Sequence, residues 1–230
     1  MESIRARTLN ARARHAARGF TLVEMLVTLA ILAIITAVAI TGQSTFNQSI
    51  LLNDTSYTVA LSAREAQSLG LSSRKFAGVQ NGGYGVHFAN LNPTKSYTVF
   101  ADVQSAPLAE PAWCPAVATT TPESKSGNCL YDGIGETFQT YDLTRGFTLS
   151  DFCGRTTSGG LQCASGGNLQ SMDVLYLRPN TQAIITGITP GGAQVQFTCA
   201  QVSVKSPTSA TTQTVRMSQL GEVSVGQTCP

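Results

Sequence analysis

The hydrophobic pattern is densest near the N-terminus. Residues 20–41 read FTLVEMLVTLAILAIITAVAIT, with Glu24 as the only charge. As a helix, residues 20–40 span about 31 Å, the thickness of a bilayer core. Gly42-Gln43-Ser44 then interrupts the run. Beyond it Phe46, Ile50, Tyr57 and Leu61, with Ala60, Ala63 and Leu69, recur at helical spacing. That spacing predicts an amphipathic helix over 46–69 with Gly70 as its stop. From residue 71 the chain switches to short β-type runs divided by Gly, Pro, Asn and Ser. Strands are predicted at 84–88, 96–102, 136–142, 147–152, 173–177, 182–188, 194–205, 212–217 and 222–225. Their alternation fits half-exposed antiparallel strands, and no helical pattern returns, which disfavours a βαβ nucleotide-binding fold. Residues 103–135, rich in Pro, Ala, Thr and Ser, read as a long loop or insertion.

Charge changes this picture at one end only. Residues 1–19 hold Arg5, Arg7, Arg12, Arg14 and Arg18 against Glu2, while residues 20–230 carry two more acidic than basic side chains. Overall 12% of residues are charged, against about 25% in an ordinary soluble domain, and the body has no cation excess to attract nucleic acid. Five arginines flanking so long an apolar run argue against a buried core helix. A cleaved secretory signal would have an apolar region of about 7–15 residues and a small-residue cleavage site, and this run is too long. Arginines ahead of the span place the head in the cytoplasm and the bulk outside. Glu24 is then costly within the membrane, and calls for a partner: Arg18, or a positive group created or supplied later.

Arg18-Gly19-Phe20-Thr21-Leu22-Val23-Glu24-Met25-Leu26 resembles the type IV prepilin motif shared by pilins and type II secretion pseudopilins. The resemblance implies cleavage by a membrane prepilin peptidase after Gly19 and N-methylation of the new terminus, Phe20. It implies that Glu24 pairs with the terminal amine of a neighbouring subunit, which would supply the missing charge. Leu175-Tyr176-Leu177-Arg178-Pro179-Asn180 and the closing Gly221-Glu222-Val223-Ser224 look like the GspH/FimT-type minor pilins. The implied fold is α+β: a long N-terminal helix packed on a C-terminal antiparallel β-sheet domain. Its expected parts are a cytoplasmic leader (1–19), a transmembrane and assembly helix (20–41), its amphipathic continuation (42–70) and an extracytoplasmic β-rich domain (71–230). The expected function is that of a non-enzymatic, minor structural subunit of a type IV pilus or type II secretion pseudopilus, anchored in the inner membrane. Its partners would be prepilin peptidase, other pilin subunits and an inner-membrane assembly platform.

Six cysteines, Cys114, Cys129, Cys153, Cys163, Cys199 and Cys229, all lie in the part expected outside the cytoplasm, where disulfides form. Fifteen pairings are possible, and the sequential one is expected: Cys114–Cys129, Cys153–Cys163 and Cys199–Cys229. No Cys-x-x-Cys pair suggests a metal, and Gly82-Gly83-Tyr84-Gly85 and Gly191-Gly192 lack the flanking residues of a cofactor-binding loop, so neither metal nor cofactor is expected. His15 lies in the leader, which leaves His87, read as a strand residue facing solvent or a hydrogen-bond partner. No Gly-x-Ser-x-Gly elbow accompanies it, so a membrane-tethered hydrolase is the remote alternative. A DNA-uptake or substrate-binding minor pilin is the nearer one. FimT-like DNA binders look to use a Gly-Arg-x-Arg stretch where this chain has Gly221-Glu222-Val223-Ser224, and Lys205, Arg178 and Arg216 read as scattered solvated charge, so nucleic acid is disfavoured.

Overall fold

Helix α1 runs from Leu22 to Leu71 in the computed structural model. The structure describes residues 19–72, 74–79, 82–89, 94–103, 109–115 and 127–230, with backbone alone at 41–45 and 134. The expected leader up to Arg18, with His15, lies outside the described residues, as do 104–108 and 116–126 of the expected insertion. The chain divides into two compact units, Met1–Phe46 and Asn47–Pro230.

The expected long helix is the one observed: α1 is continuous through Gly42-Gln43-Ser44, where a single interior Gly costs only about 1 kcal/mol. The expected apolar face is the buried one only in part. Ala60 and Ala63 are buried, whereas Ile50, Tyr57 and Leu61 are each at least half exposed. The face turned to the sheet carries Leu52, Ser56, Val59, Ala60, Ser62, Ala63 and Ala66, all buried. These side chains are mostly small, so the helix axis lies close to the sheet. Their hydroxyls are satisfied locally: Ser56 Oγ donates to the Leu52 carbonyl at 2.8 Å, and Ser62 Oγ shares a 2.9 Å hydrogen bond with the Tyr97 hydroxyl.

The remaining elements are β1 (Gly83–Ala89), β2 (Ser96–Asp102), a 3₁₀ turn (Ile134–Glu136), β3 (Thr137–Asp142), β4 (Thr148–Thr156), β5 (Leu161–Cys163), β6 (Ser171–Tyr176), β7 (Ala183–Ile188), β8 (Gln194–Lys205), β9 (Thr212–Ser218) and β10 (Val223–Val225). They form one antiparallel sheet in the order β10-β9-β8-β7-β6-β1-β2-β3, with β4 also paired to β8 and β5 to β4. The α+β plan is therefore the one observed. Two departures are local. Strand β4 runs on to Thr156 and folds back as β5, too short a strand to show in the pattern. Residues 134–136 coil as a 3₁₀ turn before β3 begins.

The sheet separates two apolar layers. On one face Val86, Phe88, Val174, Tyr176, Ile185, Phe197 and Met217 pack with the buried helix residues. On the other, Phe100 and Leu175 pack with Cys129, Cys114, Tyr131 and Ile184. Alternation along β6 shows the division: Val174 and Tyr176 belong to the first layer and Leu175 to the second. The second layer is roofed by the described parts of the expected insertion, 109–115 and 127–136, which form a strap across the sheet.

Gly70 shows how tight the helix–sheet contact is. It is not the stop predicted from sequence, since α1 continues to Leu71. A Cβ at this position would collide with the backbone carbonyl of Tyr176. In an exposed helix Gly→Ala would stabilise by about 1 kcal/mol. Here the sign reverses: Gly70→Ala is expected to destabilise the folded chain by about 1–3 kcal/mol through overpacking, seen as a lowered Tm in thermal unfolding followed by circular dichroism.

Candidate assembly site

Gly19 and Phe20 precede the helix and are exposed. Thr21 fixes where the helix begins: its Oγ1 accepts from the Glu24 backbone N–H at 3.2 Å, and its carbonyl accepts from the Met25 N–H at 3.2 Å. Thr21-Leu22-Val23-Glu24 has the spacing of a capping box. The Gly19–Phe20 peptide bond is thereby left outside the hydrogen-bonded helix. Glu24 falls in the first turn, where the helix dipole favours a negative charge by about 0.3–1 kcal/mol.

From Leu22 to Ile40 the helix has a mean hydropathy of 2.6 and none of its residues is buried. It is long and apolar enough to cross a membrane, by length and composition. Its polar side chains are Glu24, Thr28 and Thr36. Both threonines bond back to the helix: Thr28 Oγ1 to the Met25 carbonyl at 3.0 Å and Thr36 Oγ1 to the Leu32 carbonyl at 2.9 Å. Their polarity is hidden from an apolar solvent. The Glu24 carboxylate has no such partner, and no cation stands within ion-pair distance among the described residues.

Residues 14–40 match the prokaryotic N-terminal methylation motif. No curated protein and no solved structure matches the chain. Through this segment the chain is type IV pilin-like, and a motif of this kind implies processing by prepilin peptidase and assembly with other pilin subunits. The apolar helix and the motif together fit a pilin anchored in the inner membrane. The motif indicates a structural protein, a class that is typically non-enzymatic.

The cysteines lie in the other unit. The structure joins Cys114 to Cys129, Cys153 to Cys163 and Cys199 to Cys229. Cys153 and Cys163 face each other across β4 and β5. Cys199, on β8, holds the C-terminal tail, where the Cys229 N–H also donates to Gln201 Oε1 at 2.9 Å. Asp151 approaches Cys153 and Cys163 closely enough to suggest a three-ligand cluster. Both sulfurs are bonded to each other, so no thiolate is offered to a metal. Asp151 instead accepts from the Ser165 N–H at 2.9 Å and hydroxyl at 2.6 Å.

Cys114–Cys129 ties together the two segments of the strap, and buried carboxylates fasten it to the sheet. Asp102 Oδ2 accepts from the Cys129 N–H at 2.9 Å. Glu136 accepts from the Val103 and Asp132 N–H groups at 2.9 and 2.8 Å. Asp173 Oδ1 lies 2.6 Å from His87 Nδ1, and its Oδ2 accepts from the Tyr131 N–H at 3.4 Å. Asp102, Glu136 and Asp173 are all buried. Cys129, with φ of 64°, takes the left-handed conformation that this set of bonds requires. The acids are far apart in sequence, so only strand pairing reveals them as a group: β1 and β6 place His87 directly opposite Asp173. His87 thus takes the hydrogen-bond partner rather than solvent. No hydroxyl is bonded to its Nε2 among the described residues. Arg216, one of the cations weighed for phosphate binding, is held by Glu222 at 2.9 Å.

Asp102 carries the clearest pH signature outside the apolar helix. Burial, reinforced by the charge of Glu136, raises its pKa well above the ordinary 3.8; Asp132 and Asp173 push the same way, against the Cys129 N–H. A carboxyl raised on folding favours the folded state when protonated. Its contribution is complete below the unfolded pKa and is lost as pH climbs through the folded one. Asp102→Asn keeps an acceptor for Cys129 and cannot ionise. The variant is expected to match the parent near pH 4 and to exceed it in Tm at pH 7–8, measured by thermal unfolding across that range.

Proposed function

We propose that this chain is a minor structural subunit of a type IV pilus or type II secretion pseudopilus. Prepilin peptidase cleaves it after Gly19 and methylates Phe20, and the Phe20–Thr41 segment then leaves the inner membrane to pack into the filament. Glu24 receives the positive Phe20 terminus of a neighbouring subunit. The leader faces the cytoplasm, the sheet domain lies outside it, and an inner-membrane platform drives assembly.

One observation carries this reading. Glu24 is the single polar side chain between Leu22 and Ile40 with no partner among the described residues, on a helix long and apolar enough to cross a membrane. A carboxylate there is strongly stabilised by an opposite charge in low dielectric, and costly without one. The outward helix residues Ile50, Tyr57 and Leu61 of the second unit add support, since they are apolar and exposed, and a neighbouring helix would cover them. The length of the sheet domain and its low charge favour a minor subunit over a major one.

Two measurements test the reading. Mass spectrometry of the mature protein is expected to find a chain starting at N-methyl-Phe20, and a start beyond residue 41 would falsify the proposal. Glu24→Ala is expected to be processed normally yet to enter filaments at least ~10-fold less than the parent, because the partner ammonium is left unpaired in apolar surroundings. Incorporation is read by immunoblot of sheared filaments.

A further inference from the structure

The inner turn of the strap, Cys129 to Asp132, is attached by charged side chains rather than by a strand ladder. The Cys129 N–H donates to Asp102 Oδ2 at 2.9 Å, the Tyr131 N–H to Asp173 Oδ2 at 3.4 Å and the Asp132 N–H to Glu136 Oε2 at 2.8 Å. The Leu130 N–H stays local, on Asn128 Oδ1 at 3.1 Å. The three carboxylates come from β2, β6 and the 3₁₀ turn. Strands β1, β2 and β6 are joined to one another by backbone ladders, whose bonds carry no titrating group. The seat of the turn has no such independence.

Asp102 is its weak member. The residue is 2% exposed, and its Oδ1 has no hydrogen-bond partner. That oxygen lies against Gly127, where a Cβ would collide with it, so backbone fills the space a donor would need. Glu136 from the 3₁₀ turn, Asp132 from the strap and Asp173 from β6 all face it with like charge. His87 of β1 is bonded to Asp173, and the Tyr131 ring of the strap lies 4.5 Å from the His87 ring. An ionised carboxylate with a buried, unbonded oxygen among other carboxylates is costly, and its neutral form leaves no charge unsolvated. Lifting the turn would return Asp102 to water.

We propose that the strap is a pH-sensitive latch, seated on the sheet while Asp102 is neutral and released at its Cys129–Asp132 turn once Asp102 ionises. Release uncovers Phe100 and Leu175, which pack against Cys129 and Tyr131 when the turn is seated. An apolar surface hidden in acid is thus offered at neutral pH. With the turn lifted, Asp102 binds its proton at an ordinary carboxylate pKa, and with the turn seated it does so at a higher one. Between the two values each pH unit raises the ratio of open to seated turns by up to ~10-fold, and above the higher value the ratio levels off. A positive charge on His87 in acid acts in the same direction. The inference does not depend on how the chain assembles.

Amide hydrogen exchange of the full chain in detergent micelles tests the latch. Protection factors, corrected for the intrinsic pH dependence of exchange, are compared at pH ~5 and pH ~8. The Cys129, Tyr131 and Asp132 amides are expected to lose at least ~10-fold in protection at the higher pH. They should then exchange through openings at least ~10-fold more frequent than those that expose β8, because the turn lifts while the sheet stays paired. Asp102→Asn, which cannot ionise, should hold the change in these three amides below ~3-fold. Asp102→Ser serves as the second variant and should behave alike. Equal strap protection at the two pH values in the parent would overturn the inference. So would strap and β8 amides exchanging at one rate at the higher pH, or variants that keep the pH dependence of the parent.

Discussion

A carboxylate on an otherwise apolar helix is the constraint around which the N-terminal unit is organised. The two threonines of the span turn their hydroxyls back to helix carbonyls, and Thr21 caps the first turn. Among the described residues none of these local devices reaches the Glu24 side chain. A helix with such a surface is stable only where something covers it, whether lipid or other helices. In either setting an unpaired carboxylate is an energetic cost that an opposite charge would offset.

The second unit solves a different problem, the anchoring of a long connection between β2 and β3. Besides the buried Cys129 and Leu130, its described parts are held by covalent and polar contacts. One disulfide joins Cys114 to Cys129, Trp113 docks on Thr186, and buried carboxylates accept backbone N–H groups from Val103, Cys129, Tyr131 and Asp132. Carboxylate acceptors suit this role because each has two oxygens and can hold two backbone groups at once, as Glu136 does. The cost is crowding of negative charge, which falls mainly on Asp102. Asp173 is hydrogen-bonded to His87.

Much of the fold was legible because strands announce themselves by alternation. The runs at 96–102 and 194–205 coincide with β2 and β8, and most other strands shift only at their ends. Strand β5 was invisible because three residues cannot establish a period, and its Leu161 is exposed. The helix face was legible only in part, at Ala60 and Ala63. Pattern reading weights large side chains, whereas a close helix–sheet contact selects small ones, so Ser56, Ser62 and Gly70 turn inward while Tyr57 and Leu61 stay out. At the assembly site the prepilin-like motif was readable because all of its parts lie within nine consecutive residues. The carboxylate set of the strap was not, because residues 102, 132, 136 and 173 meet only after β1, β2 and β6 pair.

The sheet also keeps two kinds of surface apart. In the second unit α1 covers one face, and its outward residues Ile50, Tyr57 and Leu61 are apolar. The strap occupies the other face, where Ile184 and Thr186 point and Trp113 is held. Residues that alternate along one strand therefore serve opposite sides: Ala183 and Ile185 support the helix, while Ile184 and Thr186 support the strap. The two faces of the sheet are thus shaped by different side chains of the same strands, and their shared backbone in β6 and β7 is paired on both sides.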